Sequence, residues 1–159
     1  IDHSSVPVCF THATPRSLKD IPRNKSDDLI KRAVDRGGFF GLATYGPFLP
    51  WGDQTTVENC VEALERGIDL VGEENIGLGT DFTDGYDADF FSWLRRDKGL
   101  GRALSTGFPG RPKNPEGFDG VSAYPNLTTA MQARKWPADR IRRVMGENWL
   151  AYLERVWQG

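Results

Sequence analysis

Apolar residues in the first half of the chain form short continuous runs. Longer segments, in which apolar residues recur with helical spacing, separate these runs. Three runs predict buried strands, because they are short, rich in β-branched or aromatic residues and bounded by turn residues. They extend over Val6 to Phe10, Phe39 to Tyr45 and Asn75 to Thr80. Continuous apolar strands are typical of parallel sheets that are covered on both faces.

The segments between these strands have helical periodicity. Ser26 can cap a first helix that ends at Gly37. In the second, Thr55 and Glu58 have the spacing of a capping box, and Gly72 follows the last apolar residue. The apolar stripe of this second helix consists of Val57, Val61, Leu64, Ile68 and Val71. The order strand, helix, strand, helix, strand predicts parallel strands with crossover helices.

The second half has a different composition. Residues 85–124 are rich in glycine and proline and predict a long loop, with a short helix around Ala88 to Arg96. Loops of this length are usually functional lids or binding segments. Two helices are expected to follow, over Leu127 to Lys135 and Ala138 to Val156, with a break or kink at Gly146.

The composition limits the classes of binding partner that can be expected for the chain. The chain has 159 residues, enough for one domain, and its 20 Lys and Arg against 22 Asp and Glu leave no dominant basic face. Nucleic acid is therefore not expected as a partner. No apolar run reaches the roughly 20 residues that span a bilayer, and no signal peptide is visible. Cys9 and Cys60 are expected to be buried free thiols; the compartment stays open, with the cytoplasm favoured.

Two residues stand where predicted strands end. His12 follows the first strand, and Asp81 follows the third, after Gly77, Gly79 and Thr80, whose small side chains allow other groups to approach. Because α/β barrels carry catalytic groups at the carboxyl ends of parallel strands, we expect both side chains to meet at one site. An imidazole and a carboxylate suit a zinc ion and the water molecule it activates. A loop histidine and a turn carboxylate are the alternatives.

Arg23 belongs to the loop after the His12 strand, at the same end of the predicted sheet. Its guanidinium could hold a substrate carboxylate through two hydrogen bonds, or it could brace the loop. His3, ahead of the first strand, is expected to be a surface residue.

The predicted set is incomplete for a barrel enzyme. Zinc takes three or more protein ligands, and this chain offers at most two candidates. Three strands cannot close a barrel, which needs eight strands and about 250 residues. The chain also begins at Ile1 without methionine. We therefore expect either a small open α/β domain or the later part of a barrel.

Several short motifs together resemble the membrane (renal-type) dipeptidase family, metallopeptidases of the amidohydrolase superfamily. They occur in the order of that family along nearly the whole chain. The matching runs are Pro7 to His12, Pro22 to Asn24, Ser26 to Asp28, Gly37-Gly38, Gly77 to Phe82, Val121 to Leu127 and Gly146 to Asn148.

The resemblance implies a (β/α)₈ TIM barrel with a dinuclear zinc site. Residues 1–159 would form a single partial domain, the C-terminal part with about strands six to eight. His12 matches a zinc ligand and Asp81 the aspartate that is the proposed proton acceptor. Arg23 matches the arginine that binds the terminal carboxylate of a dipeptide substrate. A homodimer is a further expectation from the family.

The resemblance also has gaps. The remaining zinc ligands of the family have no counterpart in this chain, so we expect the 159 residues alone to be inactive. The family often has Ser-His-Ser where this chain has Thr11-His12-Ala13, and Asp-Phe-Asp-Gly where it has Asp81-Phe-Thr-Asp-Gly85. These departures reshape the mouth of the expected pocket.

Two other functions stay open. An amidohydrolase acting on a non-peptide amide or an N-acyl amino acid would use the same His12 and Asp81. A non-catalytic α/β binding module would bind no zinc and would not depend on His12.

Overall fold

Three parallel strands form one sheet in the order β1–β2–β3. The strands are β1 (Cys9–Ala13), β2 (Phe39–Leu42) and β3 (Ile76–Leu78). The computed structural model describes residues 1–87, 89–90, 93 and 113–157. The predicted parallel arrangement is confirmed, because both strand pairs run in the same direction.

Strands β2 and β3 are shorter than predicted, and β1 has the predicted length but is displaced. It begins at Cys9 instead of Val6, because its pairing with β2 starts where Cys9 lies opposite Phe39. As a result, His12 is the fourth of the five residues of β1 and does not follow the strand.

Two crossover helices connect the strands, α1 (Asp27–Asp35) and α2 (Val57–Val71). The side chain of Ser26 caps α1 by accepting a hydrogen bond from the backbone N–H of Leu29, as predicted. Both helices therefore begin and end close to the positions that their periodicity indicated.

The capping box of α2 is a correction to the sequence analysis. Thr56 and Asn59 form it, not Thr55 and Glu58. Thr55 is buried, and its hydroxyl donates to the carbonyl oxygen of Gly52 at 2.6 Å, so it closes the preceding turn instead.

One face of the sheet packs against α1 and α2. Its side chains are large, apolar and buried: Phe40, Leu42, Ile76 and Leu78. Helix α2 lies so close that a Cβ on Gly67 would stand 2.4 Å from Cδ1 of Ile76. Cys60 of α2 belongs to this core, and burial raises the pKa of its thiol to about 12.

Three further helices follow residue 113: α3 (Tyr124–Ala133), α4 (Ala138–Arg142) and α5 (Asn148–Trp157). Gly146 has a non-helical φ of 173° and separates α4 from α5, as predicted. Helix α3 begins three residues before the predicted Leu127, since Pro125 is tolerated in a first turn.

Helix α5 covers the second face of the sheet. The Trp149 ring lies over Gly41 and Gly77, and its Nε1 donates to the Leu78 carbonyl oxygen at 2.9 Å. The Tyr152 ring stacks on Phe39 with ring centroids 5.5 Å apart. The two faces of the sheet are thus covered by different parts of the chain.

The remaining predictions concern the helix near Ala88, membrane-spanning segments, His3 and the two cysteines. Most of the helix predicted around Ala88 to Arg96 lies outside the described residues. Within the described part of the chain, no helix has the length and apolar character needed to cross a membrane. His3 is exposed, as expected, and both cysteines are free, with Cys60 buried and Cys9 half-buried.

Candidate functional site

His12 and Asp81 face each other at the carboxyl end of the sheet. Nε2 of His12 lies 4.0 Å from Oδ1 of Asp81. Their side chains are 46% and 36% exposed, so solvent and small molecules can reach both. The structure therefore brings together two residues that are separated along the chain by helices α1 and α2 and by strands β2 and β3.

A bulge in β1 accounts for this approach. The register of β1 with β2 is regular up to Phe10 and shifts before Ala13. The residues between them, Thr11 and His12, lie where the ladder is irregular. Bulges of this kind redirect side chains and are frequent next to active sites.

Two glycines make room for the bulge. A Cβ on Gly41 would lie 2.2 Å from the carbonyl oxygen of Thr11, and a Cβ on Gly79 would lie 2.1 Å from the same oxygen. The Cβ on Gly79 would also stand 2.8 Å from Cα of His12. Real Cβ contacts below 3.0 Å essentially never occur. The backbone of β1 reaches the neighbourhood of Asp81 because these side chains are absent.

The imidazole of His12 has a partner that orients it. Oγ1 of Thr11 lies 2.8 Å from Nδ1 of His12. An Nδ1–H that donates to this hydroxyl leaves the lone pair on Nε2, the atom that faces Asp81. Metal-binding histidines generally have such a partner on the second ring nitrogen.

Asp81 has an unusual backbone conformation. Its φ is 61°, in the left-handed region, which aspartate tolerates better than most residues other than glycine. The backbone N–H of Phe82 donates to Oγ1 of Thr80 at 3.4 Å, so the chain turns sharply directly after β3. Uncommon backbone conformations of this kind concentrate at functional sites.

Arg23 reaches the same end of the sheet. Its Nη2 donates to the carbonyl oxygen of His12 at 3.2 Å, and its guanidinium carbon lies 4.6 Å from the centroid of the Phe48 ring. The bond to His12 braces the loop, which was one of the two predicted roles. A guanidinium has five N–H donors, so others remain for an anion, and the substrate role of Arg23 stays a prediction.

The donors fit part of a metal site. One imidazole nitrogen and one carboxylate oxygen are accessible and directed at a shared space, which suits zinc or a similar ion. In the part of the chain that the structure describes, no group of three or more His, Cys, Asp or Glu side chains could hold a metal ion. The described residues can therefore contribute to a metal centre but do not complete one.

Sequence reasoning missed several residues that build the site. Thr11 orients the imidazole, Phe48 lies under the guanidinium, and Gly41 clears space for the bulge. Thr11 adjoins His12, and Gly41 interrupts an apolar strand, so both carried a local signal. Phe48 carried none, because its contact with Arg23 joins two separate loops.

Comparison with protein-family models gives one match. The model of membrane dipeptidases, peptidase family M19, matches residues 1–95, which contain β1, β2, β3 and all three site residues. More than half of the chain is covered by this match.

Curated relatives and solved structures agree with that match. An uncharacterized dipeptidase of Schizosaccharomyces pombe is 27% identical over 99% of this chain. A solved amidohydrolase from Pseudomonas aeruginosa is 44% identical over 98% of this chain, with a TM-score of 0.87. A solved metallopeptidase from Rhodobacter sphaeroides, bound to a phosphinate mimic of the dipeptide L-Ala-D-Ala, is 25% identical over 97% of this chain, with a TM-score of 0.73.

These relatives are much longer than the matched region. The chain covers 32% of the S. pombe protein, 47% of the P. aeruginosa chain and 37% of the R. sphaeroides chain. The similarity therefore concerns one part of each relative and extends over nearly all of this chain.

Proposed function

Because the chain belongs to the membrane dipeptidase family, peptidase family M19, we propose that it forms the C-terminal part of a zinc-dependent dipeptidase. In this proposal β1, β2 and β3 are about strands six to eight of a (β/α)₈ barrel. The parallel order of the strands and their crossover helices support it. Further strands would pair with the outer edges of β1 and β3.

The single observation that carries the proposal is the approach of His12 to Asp81. An imidazole and a carboxylate 4.0 Å apart, at the carboxyl ends of parallel strands, occupy the place where barrel enzymes keep their reacting groups. The absence of a side chain at Gly79 supports the same reading, because a Cβ there would lie 2.8 Å from Cα of His12.

His12 is the residue that would hold a metal ion, through Nε2. A bound zinc ion supplies Lewis acidity and lowers the pKa of a water molecule to about 7. Family membership implies metal dependence, and the remaining ligands would come from the front part of the barrel. Thr11 would keep the His12 ring in the ligating orientation through Nδ1.

Asp81 and Arg23 have the other two roles. Oδ1 of Asp81 would accept a proton from the attacking water and return it to the leaving amine, which is general base and then general acid catalysis. The guanidinium of Arg23 would bind the terminal carboxylate of the dipeptide and so align the peptide bond with the metal centre.

Replacing Asp81 by asparagine in the intact protein tests the proposal. Asp81→Asn keeps the size of the side chain but removes the proton acceptor, so we expect kcat for dipeptides to fall by about 10²- to 10⁴-fold while zinc content stays the same. Asp69→Asn, at an exposed position of α2, is the matched control and should retain activity. Unchanged turnover by Asp81→Asn would exclude the assigned role.

The 159-residue chain by itself is expected to be inactive. It offers His12 as one ligand and lacks the others, so added zinc should not restore dipeptide hydrolysis. Measuring release of free amino acids with and without zinc checks this expectation. Zinc-dependent turnover by the purified chain would contradict the incomplete-site argument.

A second candidate is an amidohydrolase that acts on a non-peptide amide or an N-acyl amino acid. The solved P. aeruginosa protein, the relative with 44% identity, is described as an amidohydrolase. Arg23→Ala in the intact protein separates a dipeptidase from an amidohydrolase whose substrate has no carboxylate, whereas an N-acyl amino acid, which has one, is distinguished by comparing its turnover with that of a dipeptide. Arg23→Ala should lower kcat/KM for dipeptides by roughly 10- to 100-fold, since a charged hydrogen bond to the substrate is lost. A substrate without a carboxylate should be hydrolysed as well as before.

A further inference from the structure

We propose that Phe48 is a positioning residue, which fixes the guanidinium of Arg23 and so makes the site selective for substrates with a free carboxylate. The inference rests on the proposed function of Arg23 and assigns a role to a residue outside the metal centre. Phe48 itself would touch neither the metal ion nor the reacting bond.

Two contacts hold the guanidinium. Its carbon lies 4.6 Å from the centroid of the Phe48 ring, within the range of a cation–π interaction. One of its nitrogens donates to the carbonyl oxygen of His12 at 3.2 Å. A ring contact and one edge bond together restrict both the plane and the rotation of the group, while other N–H donors stay available.

The ring is itself held firmly. Phe48 ends a short 3₁₀ turn (Gly46–Phe48), is only 9% exposed, and contacts the Tyr45 ring edge-on with centroids 4.9 Å apart. Nδ2 of Asn24, the residue next to Arg23, donates to the Phe48 carbonyl oxygen at 3.0 Å. The loops after β1 and β2 are thereby joined at the point where the guanidinium rests.

A second link between the same loops supports this arrangement. Nζ of Lys19 donates to the carbonyl oxygen of Pro47 at 2.9 Å, and Nδ2 of Asn24 also donates to the Lys19 carbonyl oxygen at 2.8 Å. Asn24 is 1% exposed, so its bond to the Phe48 carbonyl oxygen is shielded from water. Arg23 is therefore supported by a rigid loop pair.

This support has a chemical consequence. A free arginine side chain loses rotamer freedom when it binds an anion, and that loss weakens binding. A guanidinium already held by a ring and a carbonyl oxygen loses less. A substrate with a carboxylate would gain from this preorganisation, whereas the corresponding C-terminal amide would not.

Steady-state kinetics of the intact protein with a dipeptide and its C-terminal amide test the inference. Phe48→Leu should raise KM for the dipeptide roughly fivefold, with a smaller change in kcat, because a less firmly held guanidinium binds the carboxylate more weakly. KM for the amide should stay the same. Phe48→Tyr, which keeps an aromatic face, should restore the dipeptide KM.

Phe40→Leu is the matched control. Phe40 is a fully buried ring of β2 on the face that packs against α1 and α2, so the substitution removes core volume and leaves the face under Trp149 intact. In an Arg23→Ala background, Phe48→Leu should add no further change in KM, since Phe48 acts through Arg23. Equal changes in KM for dipeptide and amide, or full additivity with Arg23→Ala, would overturn the proposal.

Failure of the proposed function would be distinguishable. If the wild-type protein hydrolyses neither substrate, the dipeptidase proposal fails. In that case the role of Phe48 is tested by stability instead of kinetics. The shifts in the midpoint of denaturation caused by Arg23→Ala, by Phe48→Leu and by the double variant are compared. Non-additive shifts would support the proposal that Phe48 holds the Arg23 side chain in place, and additive shifts would exclude that role.

Discussion

The two faces of the small sheet are built in opposite ways. The face under α1 and α2 is filled by large side chains, with Phe40, Leu42, Ile76 and Leu78 buried against the helices. On the other face, Gly41, Gly77 and Gly79 have no side chain to contribute. Their space is taken by the bulge in β1 and by the Trp149 ring.

This difference separates stability from function. The filled face removes apolar area from water and supplies most of the packing that holds the domain together. The glycine face gives up side-chain packing at these three positions, and in return it admits the Trp149 ring and the backbone of β1 that carries His12 towards Asp81. Mutations on the two faces should therefore have different effects: those on the filled face should mainly lower the free energy of unfolding, and those on the glycine face should also lower activity.

A cavity on the filled face should give the largest effect. Leu64 is fully buried in α2, so Leu64→Ala should lower the free energy of unfolding by about 2–5 kcal/mol. Chemical denaturation of the intact protein measures this loss. Activity per folded molecule should be unchanged, because the site lies on the other face. A large loss of kcat in the folded fraction would show that the two faces are not independent.

The order of the elements was predictable because it depends on local patterns. The stripe from Val57 to Val71 defined α2, and Ser26 identified the start of α1. His12 and Asp81 could be placed near one another, since parallel strands bring their carboxyl ends to the same edge. These inferences needed only short segments of sequence.

The details of the site were not predictable because they depend on contacts between residues that are far apart in the sequence. The shift of β1 to Cys9–Ala13 depends on its pairing with β2, and the bulge depends on the absence of a side chain at Gly79, which is far away in the sequence. The contact between Arg23 and Phe48 likewise joins two loops. Such long-range contacts leave no periodic signal.

Filling the glycine face should disturb function as well as stability. Gly79→Ala would place a Cβ against backbone atoms of Thr11 and His12, which must then move. A displacement of about 1 Å can cost on the order of 100-fold in rate, so we expect a loss of that size in kcat/KM together with weaker zinc binding.

Gly120→Ala is the control for this substitution. Gly120 has an extended φ of 179°, and the nearest atoms to a Cβ there would be those of the Asp84 carboxylate, at 3.3 Å and beyond. It should be close to neutral. Normal activity of Gly79→Ala would mean that the bulge adjusts without moving His12, and the comparison of the two faces would lose its basis.

The smallest expected effect concerns the partner of the imidazole. Thr11→Val removes the hydroxyl beside Nδ1 of His12 at nearly constant volume, and we expect zinc affinity to fall by about 10-fold. Competition with a chromophoric chelator measures the affinity without relying on turnover. Thr11→Ser keeps the hydroxyl and should bind zinc as the wild type does. Equal zinc affinity of the valine and serine variants would show that the Thr11 hydroxyl has no role in orienting His12.

The hydrogen bond from Oη of Tyr152 to the carbonyl oxygen of Pro7, at 2.9 Å, joins residues 145 positions apart. Burial raises the pKa of Tyr152 to about 12, so the hydroxyl stays protonated and remains a donor at neutral pH. A ribosome must release α5 before this bond can form, and contacts of such long range are slow to close. The segment just before the strand that carries His12 therefore gains this bond only after α5 has emerged from the ribosome, later than the pairing of β1 with β2 can form.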